Sequence, residues 1–301
     1  MFAVLGTWME ADVVEATVKN AFMQGCERVF LVDNDSQDDT VPIALSAGAE
    51  LARSYSTPEF HETVRNRLMN ETVAEQSAAD GSSNIWWLWL DADEFPHGPR
   101  GLTIREYLAA LDSAFRIVGA RYFNHYPADE PAYVSGAHPL DFQPLAEELL
   151  ERRCWLWHRK HPLQRFDRGG PAIEVGTGFH RAESGEHPLL EPSESIFVHH
   201  FPYRRRDVTL RRFESLLPAA TEAARADPER SPAMAVRRRS LDAVYARDWA
   251  RVEMQLQPDL RRPRVEPLPW TELVDAEHHH VDRWYSEQLS PATPHPASQA
   301  V

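Results

Sequence analysis

Through the first hundred residues, short apolar runs alternate with longer segments whose apolar positions recur at helical spacing. "FAVLGTW" (2–8) reads as a buried strand. Val13, Val14, Val18, Ala21 and Phe22 then share one helical face, and Gly25 stops the helix. "ERVFLVD" (27–33) is a second strand. The polar loop "NDSQDDT" (34–40) caps a helix through Val41–Ala47, with Gly48 behind it. "AELARSYS" (49–56) reads as a third strand. Thr57 and Pro58 read as N-cap and first residue of a helix reaching about Glu75. After a loop at 78–84, "IWWLWL" (85–90) is a fourth strand.

Further on, Thr103 and Glu106 form a capping box for a helix ending near Ser113, and "RIVGARYF" (116–123) is another strand. Residues 124–200 are less regular, with strand-like pieces at 153–158, 172–175 and 195–199. Helical patterns resume at 207–226, 232–255 and 270–289, with a Pro-rich linker at 258–269. The tail "SPATPHPASQAV" has the composition of a disordered end.

Strands alternating with helices predict an α/β fold, a doubly wound, mostly parallel and Rossmann-like sheet. The expected organisation is a catalytic domain over 1–215, a helical extension over 216–289 and a tail at 290–301. Ligands of such sheets bind outside the carboxyl ends of the strands. Two acidic stretches, 33–39 and 91–94, follow carboxyl ends here.

Composition narrows the class. With 301 residues and 43% hydrophobic content, the chain can build a substantial core. A formal net charge of −14 argues against binding nucleic acid or an anionic membrane. The two cysteines, Cys26 and Cys154, make neither a disulfide framework nor a thiolate zinc site. No apolar run is long enough to span a bilayer, and "MFAVLGTWME" lacks the basic flank of a signal peptide. A cytoplasmic protein is the expectation.

Five groups of residues are candidates for chemistry. Asp91 and Asp93, two apart in an extended segment, point the same way and suit a hard divalent cation, Mg2+ or Mn2+. The alternative is an acidic turn. On the same alternation Glu94 points away and reads as a supporting residue. In the 33–39 loop, Asp33 is the choice for ligand contact, with Ser36, Asp38 and Asp39 structural. In "SIFVHH", only one of His199 and His200 can face inward to serve as a metal ligand; a surface pair is the alternative. Arg204–Arg206 either neutralise an anionic ligand or form a solvated helix start. Lys160, with Arg159, His161 and Arg165, either binds phosphate or is a basic surface loop. As general base, Glu174 in "PAIEVGTGFH" is the candidate, with Asp167, Glu183 and His180 as rivals.

The stretch "VLGTWMEADVVEATVKNAFMQGCERVFLVDNDSQDDTV", followed by "AGAEL" and "WWLWLDADEFP", resembles glycosyltransferase family 2 enzymes of the GT-A fold. The likeness is strongest to the subgroup with an Asp-x-Asp-Glu-Phe motif. It continues more loosely through "HRKHPLQRF", "VGTGFHRA" and "FVHHFPYR" to about residue 215. The resemblance implies a nucleotide diphosphate sugar donor, of UDP or GDP type, lying across the strand ends. It implies Asp33 near base or ribose, and Asp91 near the ribose or the metal. It places Asp93 and the late His200 on a Mn2+ or Mg2+ that bridges the diphosphate. Thr7, Lys160, Arg165 and Arg204 complete the implied donor contacts.

The function expected is metal-dependent transfer of a sugar to a hydroxyl or amine of a small-molecule or glycan acceptor, with inversion. The C-terminal helices would shape the acceptor side or an oligomer contact. Nucleotidyl transfer to a sugar phosphate, or a non-catalytic nucleotide-sugar-binding module, are the alternatives. The first of these ranks lower because "GTWMEAD" is not a Gly-rich basic loop.

Overall fold

The structure, a computed structural model, describes residues 1–57, 61–126, 138–141, 143–148, 160–180, 182–185, 188–211, 242–248 and 268–269. The expected strand at 153–158, Cys154, Arg159, most of the C-terminal helices and the tail lie outside the described residues.

The first half is the α/β unit that the pattern predicts. β1 (Phe2–Thr7), β2 (Arg28–Asp33), β3 (Glu50–Ser54) and β4 (Asn84–Asp91) form a parallel array in the order β3-β2-β1-β4. Between them run α1 (Val14–Met23), α2 (Thr40–Ser46) and α3 (Glu62–Asp80). Alternation along the strands sorts two cores. Ala3, Leu5, Leu88 and Leu90 pack with residues of α1 and α2. Phe2, Val4, Trp87 and Trp89 pack with Met69 of α3. Helices therefore cover both faces, and the sheet is doubly wound.

Two local expectations change. Thr57 does not cap α3; its N–H and hydroxyl both donate to Asn34 Oδ1 at 3.1 Å. The helix begins at Glu62, after an extended His61. Helix α4 (Ile104–Ala109) carries the Thr103–Glu106 capping box, a feature worth about 1 kcal/mol, but stops short of Ser113.

Beyond β4 the chain leaves the parallel pattern. The 116–123 run divides into β6 (Ile117–Val118) and β7 (Ala120–Tyr126), which join different sheets. β9 (Leu163–Asp167) pairs antiparallel with both β4 and β6 and extends the first sheet. A second sheet has the order β13-β8-β7-β12-β5, from β5 (Glu94–His97), β7, β8 (Leu145–Glu148), β12 (Ile196–His200) and β13 (Leu268–Pro269). A small hairpin pairs β10 (Glu174–Val175) with β11 (Ala182–Glu183). Among the described residues no helix is long and apolar enough to cross a membrane.

Candidate functional site

The site forms where the chain passes from the first sheet to the second. Asp91 ends β4 and Glu94 begins β5, so the extended alternation expected across 91–94 is broken at Ala92 and Asp93. Asp91 keeps the parity of Trp87 and Trp89 and faces α3. There Arg65 Nη1 lies 2.7 Å from its Oδ1, and Lys160 Nζ lies 3.5 Å from Oδ2. Gly6 makes room for this approach: a Cβ there would come within 2.8 Å of Arg65 Cδ.

Glu94 turns toward the cation that it shares with Asp91 and stands as a supporting partner to it. It is buried and ion-paired with Lys160, whose ammonium also lies 4.8 Å from the Tyr122 ring centroid. The change of sheet is the physical reason, because period-2 parity holds only within one strand.

Alternation also sorts the second sheet. His200 pairs in register with Glu94 on one side and Asn124 on the other, and Val198 pairs with Tyr122. These residues share one face. The opposite face carries His97, His199 and His125, a buried chain with ring nitrogens 2.9 and 2.7 Å apart. Of the histidine pair, His199 is thus part of the core, and His200 lies at the site with Nε2 3.7 Å from Asp93 Oδ2.

Burial and charge set the protonation states. Burial raises Asp91, but the Arg65 and Lys160 charges outweigh it and hold the carboxyl below its ordinary value. Burial works against the Lys160 charge, yet Glu94 and Asp91 hold its pKa above the ordinary value. Glu94 is pushed up to about 7, chiefly by burial, with Asp91 adding and Lys160 opposing. The cluster has three carboxylates, Asp91, Asp93 and Glu94, against the two cations Arg65 and Lys160. The proton therefore sits most easily on the most enclosed acid.

The Asp93–His200 pair has the geometry to hold a divalent ion. Asn124 Oδ1 accepts from His200 Nδ1 at 2.7 Å, which turns Nε2 toward the Asp93 carboxylate, where a neutral imidazole would present its lone pair. Two acceptors 3.7 Å apart are spanned by a cation with bonds of roughly 2.1 Å to each. Asp91 departs from the expected ligand set, because its oxygens face Arg65 and Lys160. Among the described residues no three His, Cys, Asp or Glu side chains converge on one ion position. A metal held here would have two protein ligands and would leave the rest of its shell to water and substrate oxygens.

The remaining expected residues fall in three places. Asp33 and Thr7 stand together at the neighbouring strand ends, with Thr7 Oγ1 donating to Asp33 Oδ1 at 2.8 Å. Ser36 donates to the same carboxylate through its N–H (2.8 Å) and hydroxyl (2.7 Å), so Asp33 organises its own loop. Arg165 departs from the donor-contact expectation. It pairs with Trp86, five residues before Asp91 and roughly 16 Å back along the sheet. Its guanidinium binds Asp167, a rival base that Arg116 also engages. Arg204 departs as well: it is 0% exposed and pairs with Glu10 (2.6 Å) and Asp12 (3.1 Å) rather than lining an open groove. Glu174 is exposed on its hairpin opposite Glu183, and among the described residues its carboxylate makes no hydrogen bond or ion pair. Arg65, Tyr122 and Asn124 are the site residues that the sequence reading missed. The alternation of "RYFNHY" places Tyr122 and Asn124 on one face, but only the register with β12 brings them to His200.

No protein-family model matches the chain, and no curated protein matches it. Solved structures give partial likenesses. One is glucosyl-3-phosphoglycerate synthase from Mycobacterium tuberculosis in complex with Mn2+, UDP and glucosyl-3-phosphoglycerate. It is 17% identical at a TM-score of 0.28, covering 40% of this chain and 43% of that one. Another is mannosyl-3-phosphoglycerate synthase from Rubrobacter xylanophilus, 15% identical at a TM-score of 0.36, covering 75% of this chain and 74% of that one. The first match thus spans less than half of the known chain. At these scores the likenesses say nothing about activity.

Proposed function

We infer that the protein is a metal-dependent glycosyltransferase of the GT-A type, moving a sugar from a nucleotide diphosphate donor to an acceptor hydroxyl or amine. One observation carries the reading. Asp93 and His200 face each other at 3.7 Å at the carboxyl edge of a doubly wound sheet, where the Asp-x-Asp-Glu-Phe resemblance places a donor-bridging ion.

In this reading Asp93 and His200 hold Mn2+ or Mg2+, and Asn124 fixes the imidazole tautomer that ligation requires. When bound, the ion offsets charge that develops on the leaving diphosphate. Lys160 and Arg65, already aimed at this edge, add fixed positive charge beside it. Thr7 and Asp33 border the side expected to take base and ribose. Glu174, the base candidate from sequence, stays on its hairpin and carries no step here. The test is release of nucleotide diphosphate from UDP-, GDP- and dTDP-sugars with Mn2+ and after chelation. Metal-dependent release supports the enzyme; tight binding without release leaves only a binding module.

A further inference from the structure

The fully buried Arg204 has no place in the donor chemistry just described, and its surroundings say what it does. Its two terminal nitrogens separate onto two acids, Nη2 on Glu10 and Nη1 on Asp12. Both acids belong to the loop between β1 and α1. That loop is bound in turn to the Asp33 loop by three backbone donors. Met9 N–H reaches Ser36 Oγ at 2.9 Å, Glu10 N–H reaches Thr40 Oγ1 at 2.7 Å, and Ala11 N–H reaches Asp38 Oδ2 at 3.3 Å.

On its own side Arg204 follows His200 by four residues. The segment between is fixed by Phe201 N–H on the Asp93 carbonyl (2.9 Å) and by Gln143 on the Tyr203 carbonyl (2.6 Å). Arg204 N–H donates to Thr209 Oγ1 at 2.9 Å, and its carbonyl accepts from the Tyr245 hydroxyl. The guanidinium is thus the ionic joint between the strand end that carries His200 and the two loops that flank Asp33.

We propose that Arg204 is a positioning residue, a clasp that sets the distance between the nucleotide side of the site and its metal side. The planar fork meets each acid with its own terminal nitrogen, whereas a lysine ammonium would have to draw Glu10 and Asp12 to a single point. The clasp as such is independent of the reaction, but its catalytic consequence rests on the glycosyltransferase reading.

The test compares wild type, Arg204→Lys and Arg204→Met by amide hydrogen exchange of the free protein and by donor kinetics with Mn2+. The clasp predicts faster exchange at residues 9–14, by about tenfold or more, with β1 and β4 amides unchanged. It also predicts a donor KM raised about tenfold with kcat changed far less, and little rescue by lysine. If Arg204→Met does not fold, Asp12→Asn removes one arm only and is expected to move the same readouts by less. Unchanged exchange at 9–14 overturns the clasp. Faster exchange with an unchanged donor KM overturns its positioning role. A wild-type protein that turns over no donor overturns the glycosyltransferase reading and the positioning role with it, while the exchange result still judges the clasp.

Discussion

Two acidic stretches end neighbouring parts of the parallel sheet, and they are neutralised in opposite ways. Asp33 is satisfied locally: Thr7 and Ser36 give its carboxylate three hydrogen bonds from groups one strand or three residues away. Asp91 and Glu94 are satisfied by cations from distant elements, Arg65 of α3 and Lys160 before β9. Hydrogen bonds of the first kind build a loop. Ion pairs of the second kind tie together elements far apart in sequence. Asp93, 3.7 Å from His200, stands beside these ion pairs as the proposed place for a divalent ion.

The largest effect that separates the two regions is on turnover. Asp93→Ala is expected to lower metal-dependent transfer by about a thousandfold or more while the circular dichroism spectrum is kept. Asp33→Asn is expected to act mainly on donor KM. Equal losses of kcat from both variants would erase the distinction.

Stability separates them next. Lys160→Met leaves Glu94 buried without its ion pair and is expected to lower unfolding free energy by about 3–5 kcal/mol in urea titrations. A loss within experimental error would mean that the acids do not depend on that cation.

Acidity gives a third contrast. The folded-state pKa of Glu94 is about 7 against an ordinary 4.5, so the native protein holds this proton more tightly than the unfolded chain. Its contribution therefore favours folding at low pH and is lost as pH rises from 4.5 through about 7. In metal-free buffer, Glu94→Gln should flatten this part of the wild-type stability profile. Parallel profiles would contradict the assignment. The smallest expected effect is that of Ser36→Ala, which removes hydroxyl bonds to Asp33 and Met9 and should cost about 1 kcal/mol.

The same contrast explains what was legible in the sequence. The parallel half is written in local signals: apolar runs, helical spacing and the stops at Gly25 and Gly48. These give β1 to β4 and the two acidic edges. The second sheet depends on pairings between segments far apart, such as β5 with β12 and β12 with β7, and no local period announces them. The facing of Glu94 is not legible from alternation, because the chain changes sheets between Asp91 and Glu94. Strand alternation, a local signal, shows that His199 and His200 face opposite ways, and the resemblance of "HHFPY" points to His200. Its partner Asn124 was not legible, since it lies 76 residues away in sequence. Arg204 read as a phosphate contact because sequence shows a basic run but not which acids face it.

The most direct test of the central claim is thermal stabilisation by nucleotide diphosphates with and without Mn2+, in wild type, Asp93→Asn and His200→Ala. The account predicts that one of UDP, GDP or dTDP raises the wild-type melting temperature only when Mn2+ is present. It predicts that both variants lose this shift. Stabilisation that is equal with and without the ion, or that survives in both variants, would contradict a donor site built on Asp93 and His200.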